Sequence, residues 1–213
     1  MGRSDCRHEA CYKEQCGPLT KERSASYNQN GEPSFDSFLR YLRHNKVIRR
    51  IPDNARVLDL GCGYDGIFLK QIENRILQGM GVDISIDPQA QTEKISLMEF
   101  DLNHDLPLPD EHFDVVTSLA NLEHITATRT IMANIYRVLK PRGILLLTAP
   151  SIYAKPVLEF LAFCGIISRQ EIKDHKHYFN KKLLSDLCRE TGFSAISHRY
   201  FQLGMNNFLM AVK

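Results

Sequence analysis

A glycine-rich turn is the part of this sequence whose residue types and spacing most clearly predict chemistry. The apolar run Val57–Leu60 leads directly into Gly61, Gly63 and Gly66, and an amphipathic segment follows. Glycines permit positive φ angles and let a ligand approach the main chain closely. Because ligands bind at the carboxyl ends of strands in open α/β sheets, we expect this turn to hold a ligand.

The spacing of the three glycines is also that of a dinucleotide fingerprint, with Asp83 near the position of the ribose-binding acid. Two observations argue against a bound pyrophosphate. Asp59 lies two residues before the first glycine, where its carboxylate would repel phosphates but attract an ammonium group. Residues 83–114 contain nine acids against Lys94, a net charge of −8 beside the expected ligand. This field favours a cationic ligand.

Five segments, taken in order, resemble the motifs of class I S-adenosylmethionine-dependent methyltransferases. They are Val57–Gly63, Gly81–Ser85, Phe100–Leu102, Phe113–Leu119 together with Leu122–Ile125, and Arg137–Gly143. The set covers about residues 55–150 and is far more specific than the glycine turn alone. One position departs from the family pattern, because many members have a third glycine where this chain has Asp65.

The resemblance implies S-adenosylmethionine as the cofactor and S-adenosylhomocysteine as the product. Gly61 and Gly63 would contact the methionine part of the cofactor, and Asp59 would pair with its ammonium group, directly or through water. Ser118 and Leu119 would provide main-chain contacts near the methyl group. The protein would mainly orient the reactants and exclude water, since the methyl donor is already activated.

The nucleoside part of the cofactor is assigned by the same resemblance. Asp83, followed by Ile84, would accept hydrogen bonds from the two ribose hydroxyls, a geometry that one carboxylate serves well. Asp101 would accept a hydrogen bond from the adenine amino group, and the Leu102 amide would contact a ring nitrogen.

Three histidines are candidates for a catalytic base, which is needed only if the acceptor is a hydroxyl or a protonated amine. His124 follows the fourth predicted strand, and His175 and His177 follow the fifth. Each could instead be structural, by ordering a turn or packing within a lid. The pair beside Asp174 could also bind a metal, but no third ligand stands at a typical spacing, so no metal site is predicted.

Short apolar runs alternate with amphipathic segments after residue 51, which is typical of a parallel sheet with helical crossovers. The predicted strands are Val57–Leu60, Gly79–Ile84, Ile95–Phe100, Phe113–Ser118, Ile144–Thr148, Ala195–Tyr200 and Phe208–Val212. The gap between the last two is too short for a helix, so they should pair antiparallel. The predicted fold class is α/β: a Rossmann-like, seven-stranded, mostly parallel sheet with its last strand antiparallel and helices on both faces.

Helices are predicted where apolar residues recur at helical spacing. They cover Phe35–Arg50, Ile67–Leu77, Thr126–Lys140, Pro156–Ile167 and the segment from Asn180 to Gly192. The first of them is rich in Arg and Lys, with an apolar face that includes Phe38. Its basic side chains could form a solvated surface or could bind an anionic substrate or a membrane surface.

The chain is predicted to contain one domain after a loose arm. Residues 1–34 are polar, and their Cys6, Cys11 and Cys16 lack the spacing of a zinc site. Residues 35–213 would form the domain, with the cofactor half at 55–150. Residues 151–180 leave the carboxyl edge of the fifth strand and are rich in aromatic and histidine residues, so we expect a lid over the acceptor.

Composition excludes several other classes of protein. Twenty-seven Lys+Arg against 25 Asp+Glu give a net charge of +2, which does not demand a polyanionic partner. No apolar run approaches the roughly 18 residues that span a bilayer, and the N-terminus lacks an apolar signal core. The six cysteines are typical of reduced thiols. We therefore expect a cytoplasmic protein without a transmembrane segment.

The methyl acceptor is expected to be a small molecule. The turn after the fourth strand lacks the Asn/Asp-Pro-Pro-aromatic motif of nucleobase amino methylation, and the chain has no Pro-Cys dipeptide for cytosine methylation. No nucleic-acid module is recognisable, so a nucleic-acid partner is not expected. Residues 148–179 and 183–193 are loosely similar to quinone and other small-molecule methyltransferases. The alternatives are a non-catalytic S-adenosylmethionine-binding partner protein and a nicotinamide-dependent oxidoreductase.

Overall fold

The computed structural model describes residues 35–154 and 178–213. The predicted arm at residues 1–34, the helix at 156–167, and His175 and His177 lie outside the described residues. The domain boundary at residue 35 and the lid therefore stay predictions. None of the described helices is long and apolar enough to cross a membrane.

Within the described residues, seven strands form one sheet. They are β1 Arg56–Leu60, β2 Gln78–Asp83, β3 Ile95–Glu99, β4 Phe113–Leu119, β5 Leu139–Pro150, β6 Ser194–Phe201 and β7 Asn206–Val212. Their order is β3-β2-β1-β4-β5-β7-β6, with β1 to β5 paired in parallel and β7 antiparallel to both neighbours. The predicted fold class, with its reversed last strand, is confirmed.

The described helices are α1 Phe35–Ile48, α2 Ile67–Ile72, α3 Thr128–Val138 and α4 Lys181–Thr191. The prediction that the second helix continues to Leu77 is wrong, because the helix ends at Ile72. The Leu77 amide donates to Ala55 O at 3.0 Å, outside any helix, and the chain then enters β2. The third helix ends before its predicted end at Lys140, since Leu139 pairs with Phe113 as the start of β5. The helix α4 is capped by Asn180 at its N-terminus and by Gly192 at its C-terminus, as predicted.

Two apolar clusters cover the two faces of the sheet, because alternate residues of a strand point to opposite faces. One cluster combines β-strand residues with α3 and α4 and includes Leu58, Leu145, Leu209, Met132 and Leu184. The other combines them with α1 and α2 and includes Val57, Leu146, Phe208, Val47 and Leu69. Helices on both faces are thus confirmed. Phe38, predicted on the apolar face of α1, is instead 55% exposed.

The sheet register brings the carboxyl ends of three central strands side by side. Asp59 on β1 is level with Gly81 on β2 and with Thr117 on β4. The segments that leave these strands therefore begin at one edge of the sheet, where the sequence predicts a ligand.

Candidate functional site

The glycine turn after β1 has the backbone conformation that its composition predicts. Gly61, Gly63 and Gly66 have φ angles of 76°, 73° and 60°, in the left-handed region that side chains disfavour. The amides of Gly61 and Cys62 both approach Val82 O, at 2.8 and 3.3 Å, which ties the turn to β2. Gly66 then stands directly before α2.

The surroundings of two of these glycines differ. A Cβ added to Gly63 would meet no described atom within 4 Å, so its main chain borders open space that a ligand can enter. A Cβ added to Gly61 would lie 2.6 Å from Oδ1 of Asn121. Gly61 therefore accommodates a neighbouring side chain, whereas Gly63 is open to a ligand.

Asp83, at the end of β2, is held against the glycine turn. Its Oδ2 accepts a hydrogen bond from the Gly63 amide, and its Oδ1 accepts one from the Ile84 amide, both at 2.8 Å. Each carboxylate oxygen can accept more than one hydrogen bond, so this orientation is compatible with binding a diol. The side chains of Ile84 and Tyr64 are exposed and place apolar surface in the two adjoining loops.

Asp59 is almost fully buried, and its Oδ1 accepts a hydrogen bond of 2.6 Å from the Thr117 hydroxyl. Burial raises the pKa of the Asp59 carboxyl to about 7. The Thr117 hydrogen bond opposes that shift, and the charge of Asp83 adds to it. The group can therefore hold a proton near neutral pH and lose it when a cation approaches.

Asp101 is engaged by its own loop after β3. Its Oδ1 accepts hydrogen bonds from the backbone and side-chain nitrogens of Asn103, at 2.9 and 2.8 Å. Asn103 Oδ1 in turn accepts from the amide of Thr126, so this loop is tied to the segment after β4. Leu102 is buried in the core. The sequence interpretation missed Asn103, although an Asp-x-Asn pattern after a strand is typical of a side-chain-stabilised turn.

The turn that leaves β4 contains a strained residue. Ser118 is buried and Leu119 is half-buried at the strand end. Ala120 follows with a φ of 52°, and its amide is directed at Thr148, 2.9 Å from the carbonyl oxygen and 3.1 Å from Oγ1. The side chain of Asn121 then lies against Gly61.

His124 is half-buried in a short 3₁₀ turn, where its amide donates to Asn121 O at 3.0 Å. Its neighbour Glu123 is buried. His124 thus lies in the segment that leaves β4, and its role as a base or as a structural residue stays a prediction.

The predicted residues at and just after the carboxyl ends of β1, β2 and β4 lie together at one sheet edge: Asp59, Gly61, Gly63, Asp83, Ile84, Ser118 and Leu119. Asp101 and Leu102 follow the adjacent β3.

Over residues 35–154 and 178–213, no group of three His, Cys, Asp or Glu side chains is arranged to hold a metal ion. Burial raises the pKa of the Cys62 thiol well above its usual range, so this cysteine is a packing residue of the turn.

Two surface cavities in the described part lie along α3 and not at this edge. One, of about 330 Å³, is lined by residues of α3 and α4 that include Arg129, Tyr136 and Glu190. The other, of about 530 Å³, is lined by residues that include Asn134 and Arg137. Neither includes a residue of the glycine turn, so residue chemistry, and not cavity size, identifies the candidate site.

Comparison with known proteins adds independent findings. A family model described as a methyltransferase domain matches residues 35–198. A Mycolicibacterium smegmatis protein named "Probable S-adenosylmethionine-dependent methyltransferase" is 28% identical over 120 residues, which cover 52% of this chain and 45% of that protein. The ubiquinone/menaquinone biosynthesis C-methyltransferase of Francisella tularensis is 26% identical over 114 residues, 48% of this chain and 42% of its own. The chain thus matches less than half the length of these two relatives.

A solved structure shares the fold. The phosphoethanolamine N-methyltransferase 2 of Haemonchus contortus, in complex with S-adenosyl-L-methionine, superposes with a TM-score of 0.65 at 19% sequence identity. The superposition covers 86% of this chain and 54% of that chain.

Proposed function

Because the chain belongs to the methyltransferase domain family, we propose that it transfers a methyl group from S-adenosylmethionine to a small-molecule acceptor and releases S-adenosylhomocysteine. One observation carries this proposal. The open main chain of Gly63 and the carboxylate of Asp83 are joined by a hydrogen bond of 2.8 Å at the edge where β1 and β2 end. A ligand with an amino acid part and a ribose matches that combination.

The described residues fit the cofactor in three places. The Asp83 carboxylate, oriented by two amides, would accept hydrogen bonds from the ribose hydroxyls. The main chain at Gly61 and Gly63 would contact the methionine part. Asp59, whose buried carboxyl has a pKa of about 7, would ionise next to the ammonium group and offset its charge.

A nicotinamide dinucleotide fits these residues less well. The same edge carries Asp59 and Asp83, and residues 83–114 hold nine acids against one lysine. Two phosphates would be repelled by this field, whereas an ammonium and a sulfonium group would be attracted. The displaced third glycine, with Asp65 in the family position, would change the loop near the methionine carboxylate without closing the open space beside Gly63.

When bound, S-adenosylmethionine supplies an activated methyl group on a sulfonium, so the protein needs no strong catalytic group to form the donor. The chain's own residues would hold the reactants in line and keep water out. Ser118 is buried at the end of β4 beside the glycine turn, where its main chain would border the methyl group. Asp101 and the Leu102 amide would meet the adenine ring.

The acceptor is proposed to be a small molecule that enters beside β4 and β5. A similar protein is named as a C-methyltransferase of ubiquinone and menaquinone biosynthesis, which supports a hydrophobic or mixed acceptor. If the acceptor must lose a proton, His124 is the described candidate for the base, and His175 and His177 of the predicted lid are the others.

Isothermal titration calorimetry separates the candidate functions. We expect micromolar binding of S-adenosylmethionine and S-adenosylhomocysteine, and no measurable binding of NAD⁺ or NADH. An acceptor screen that follows S-adenosylhomocysteine release then separates an enzyme from a non-catalytic partner protein. Binding of NADH without binding of either adenosyl ligand would overturn the proposal, and so would tight cofactor binding without turnover on any small-molecule acceptor class.

A further inference from the structure

The side chain of Asn121 lies where two turns of the candidate site meet. A Cβ placed on Gly61 would lie 2.6 Å from Asn121 Oδ1 and 2.7 Å from Asn121 Cβ. The amide group of Asn121 therefore occupies the place that a side chain at position 61 would take. It belongs to the turn after β4 and yet contacts the glycine turn after β1.

The turn that carries Asn121 is held in an unfavourable conformation. Ala120 has a φ of 52°, which costs energy for any residue except glycine. Contacts of the Ala120 amide with Thr148 on β5, through its carbonyl oxygen and Oγ1, hold it there. Such strain persists where the surrounding structure imposes it, and it is concentrated at binding and active sites. The next residue of this strained turn is Asn121, whose side chain lies against Gly61.

The Asn121 amide nitrogen is buried, and among the described residues it has no hydrogen-bond acceptor. A buried donor without an acceptor destabilises the protein, so each such group in a native fold needs an explanation. The Asn121 side chain, which lies against Gly61, thus carries a donor without an acceptor in the turn that the methionine part of the cofactor would contact.

Resting on the proposed function, we propose that Asn121 Nδ2 donates a hydrogen bond to the carboxylate of the methionine part of S-adenosylmethionine. Of the groups in that part of the cofactor, the ammonium can only donate and the sulfonium accepts nothing, so only the carboxylate can accept. The nucleoside end of the cofactor is assigned to Asp83 and Asp101.

The charge of the surroundings makes this contact important for affinity. Asp59 and Asp83 flank the glycine turn, and the segment from residue 83 to 114 has a net charge of −8. These acids favour the cationic groups of the cofactor but repel its carboxylate. A neutral amide donor at Asn121 would bind that carboxylate and hold the amino acid part in one orientation.

Calorimetry with two ligands tests this assignment. S-adenosylmethionine and decarboxylated S-adenosylmethionine share the ammonium, sulfonium and nucleoside and differ only in the carboxylate. In Asn121→Leu, we expect the affinity for S-adenosylmethionine to fall about tenfold or more, because a hydrogen bond to a charged group is lost. The affinity for the decarboxylated ligand should change less than threefold. In Asn121→Asp, the affinity for S-adenosylmethionine should fall even further relative to the affinity for the decarboxylated ligand, since two carboxylates would then face each other.

The thermal unfolding of the ligand-free variants separates binding from structure. Asn121→Leu should keep or raise the Tm, because it removes an unsatisfied buried donor. Equal losses for the two ligands, with a lower Tm, would show that Asn121 only shapes the turn and would overturn the assignment. Unchanged affinity for S-adenosylmethionine with a raised acceptor KM would also overturn it. If the unsubstituted protein binds neither ligand, the proposed function itself fails.

Discussion

The hydroxyl of Thr117 on β4 donates a hydrogen bond of 2.6 Å to Oδ1 of Asp59 on the neighbouring strand β1. The two residues are level in the sheet register, and both are buried at its centre. The pair places an ionisable carboxyl with a pKa of about 7 directly before the glycine turn. Stability and cofactor binding should therefore both depend on pH through Asp59.

The first prediction concerns stability. The pKa of Asp59 is raised from 3.8 to about 7 on folding, so the folded protein binds this proton more tightly than the unfolded chain. The bound proton therefore stabilises the folded protein. This contribution to the free energy of unfolding, on the order of 4 kcal/mol, is complete below about pH 4 and is lost as the pH rises through about 7. Asp59→Asn removes this titration. Urea unfolding between pH 4 and 8 should show the variant gaining stability relative to the unsubstituted protein. A pH-independent difference would contradict the pKa shift.

The second prediction concerns the pH dependence of binding. If Asp59 ionises beside the cofactor ammonium, binding below pH 7 must release a proton from the protein. The affinity for S-adenosylhomocysteine should then rise with pH between about 6 and 8. Calorimetry in phosphate and in Tris, which differ in ionisation enthalpy, should detect the released proton. Asp59→Asn should bind with neither the pH dependence nor the proton release, and a variant that keeps both would exclude Asp59 as their source.

The third prediction tests the hydroxyl that stabilises this carboxylate. Thr117→Val preserves the shape of the side chain but removes the donor to Asp59, so the pKa of Asp59 should rise further. The pH midpoint for S-adenosylhomocysteine binding should move upwards in a calorimetric pH series. Thr117→Ser is the matched control, because it keeps the hydroxyl. A midpoint that moves equally in the two variants would point to packing rather than to the hydrogen bond.

The fourth prediction concerns the ribose contact. Asp83→Ala should weaken S-adenosylhomocysteine binding by about 1.5–3 kcal/mol, because the ribose hydroxyls and the Gly63 amide lose a charged acceptor. Circular dichroism should show an intact fold. Asp87→Ala is the control, since Asp87 is an acid of the same loop that caps the 3₁₀ turn at Pro88–Ala90. Equal affinities in a folded Asp83→Ala variant and the unsubstituted protein would remove Asp83 from the ribose site.

The fifth prediction contrasts two glycines of one turn. Gly61→Ala meets both a positive φ and the side chain of Asn121, so it should destabilise the fold by about 2 kcal/mol or more. Gly63→Ala should destabilise the fold by only about 1 kcal/mol, from the strain of a positive φ, because its Cβ would enter open space. That Cβ should nevertheless abolish S-adenosylhomocysteine binding. Thermal unfolding and calorimetry on the same samples check the contrast, and normal binding by Gly63→Ala would place the ligand elsewhere.

Much of the fold follows from the sequence by itself. The apolar run Val57–Leu60 is buried throughout, and Ile144–Thr148 is buried except for the half-buried Ile144. Runs of that kind predict central parallel strands. The short gap before Phe208 predicts the antiparallel pairing of the last strand. These signals are local. A run that is buried on two faces must be a central strand, and the length of a connecting segment limits how two strands can pair. The sequence also predicts the glycine turn and Asp83 as parts of the candidate site, since their chemistry depends on residue type and on position at the end of a strand.

The tertiary structure alone decided which of these residues touch and which polar groups are left without partners. Asn121 and Thr117 are ordinary residues in the sequence, and only the register of β4 against β1 places them against Gly61 and Asp59. The exposure of Phe38 was likewise unpredictable from its helical spacing. Helical and strand periodicity report the conformation of a segment, whereas contacts, desolvation and pKa values depend on residues about 60 positions apart in the chain that packing alone brings together.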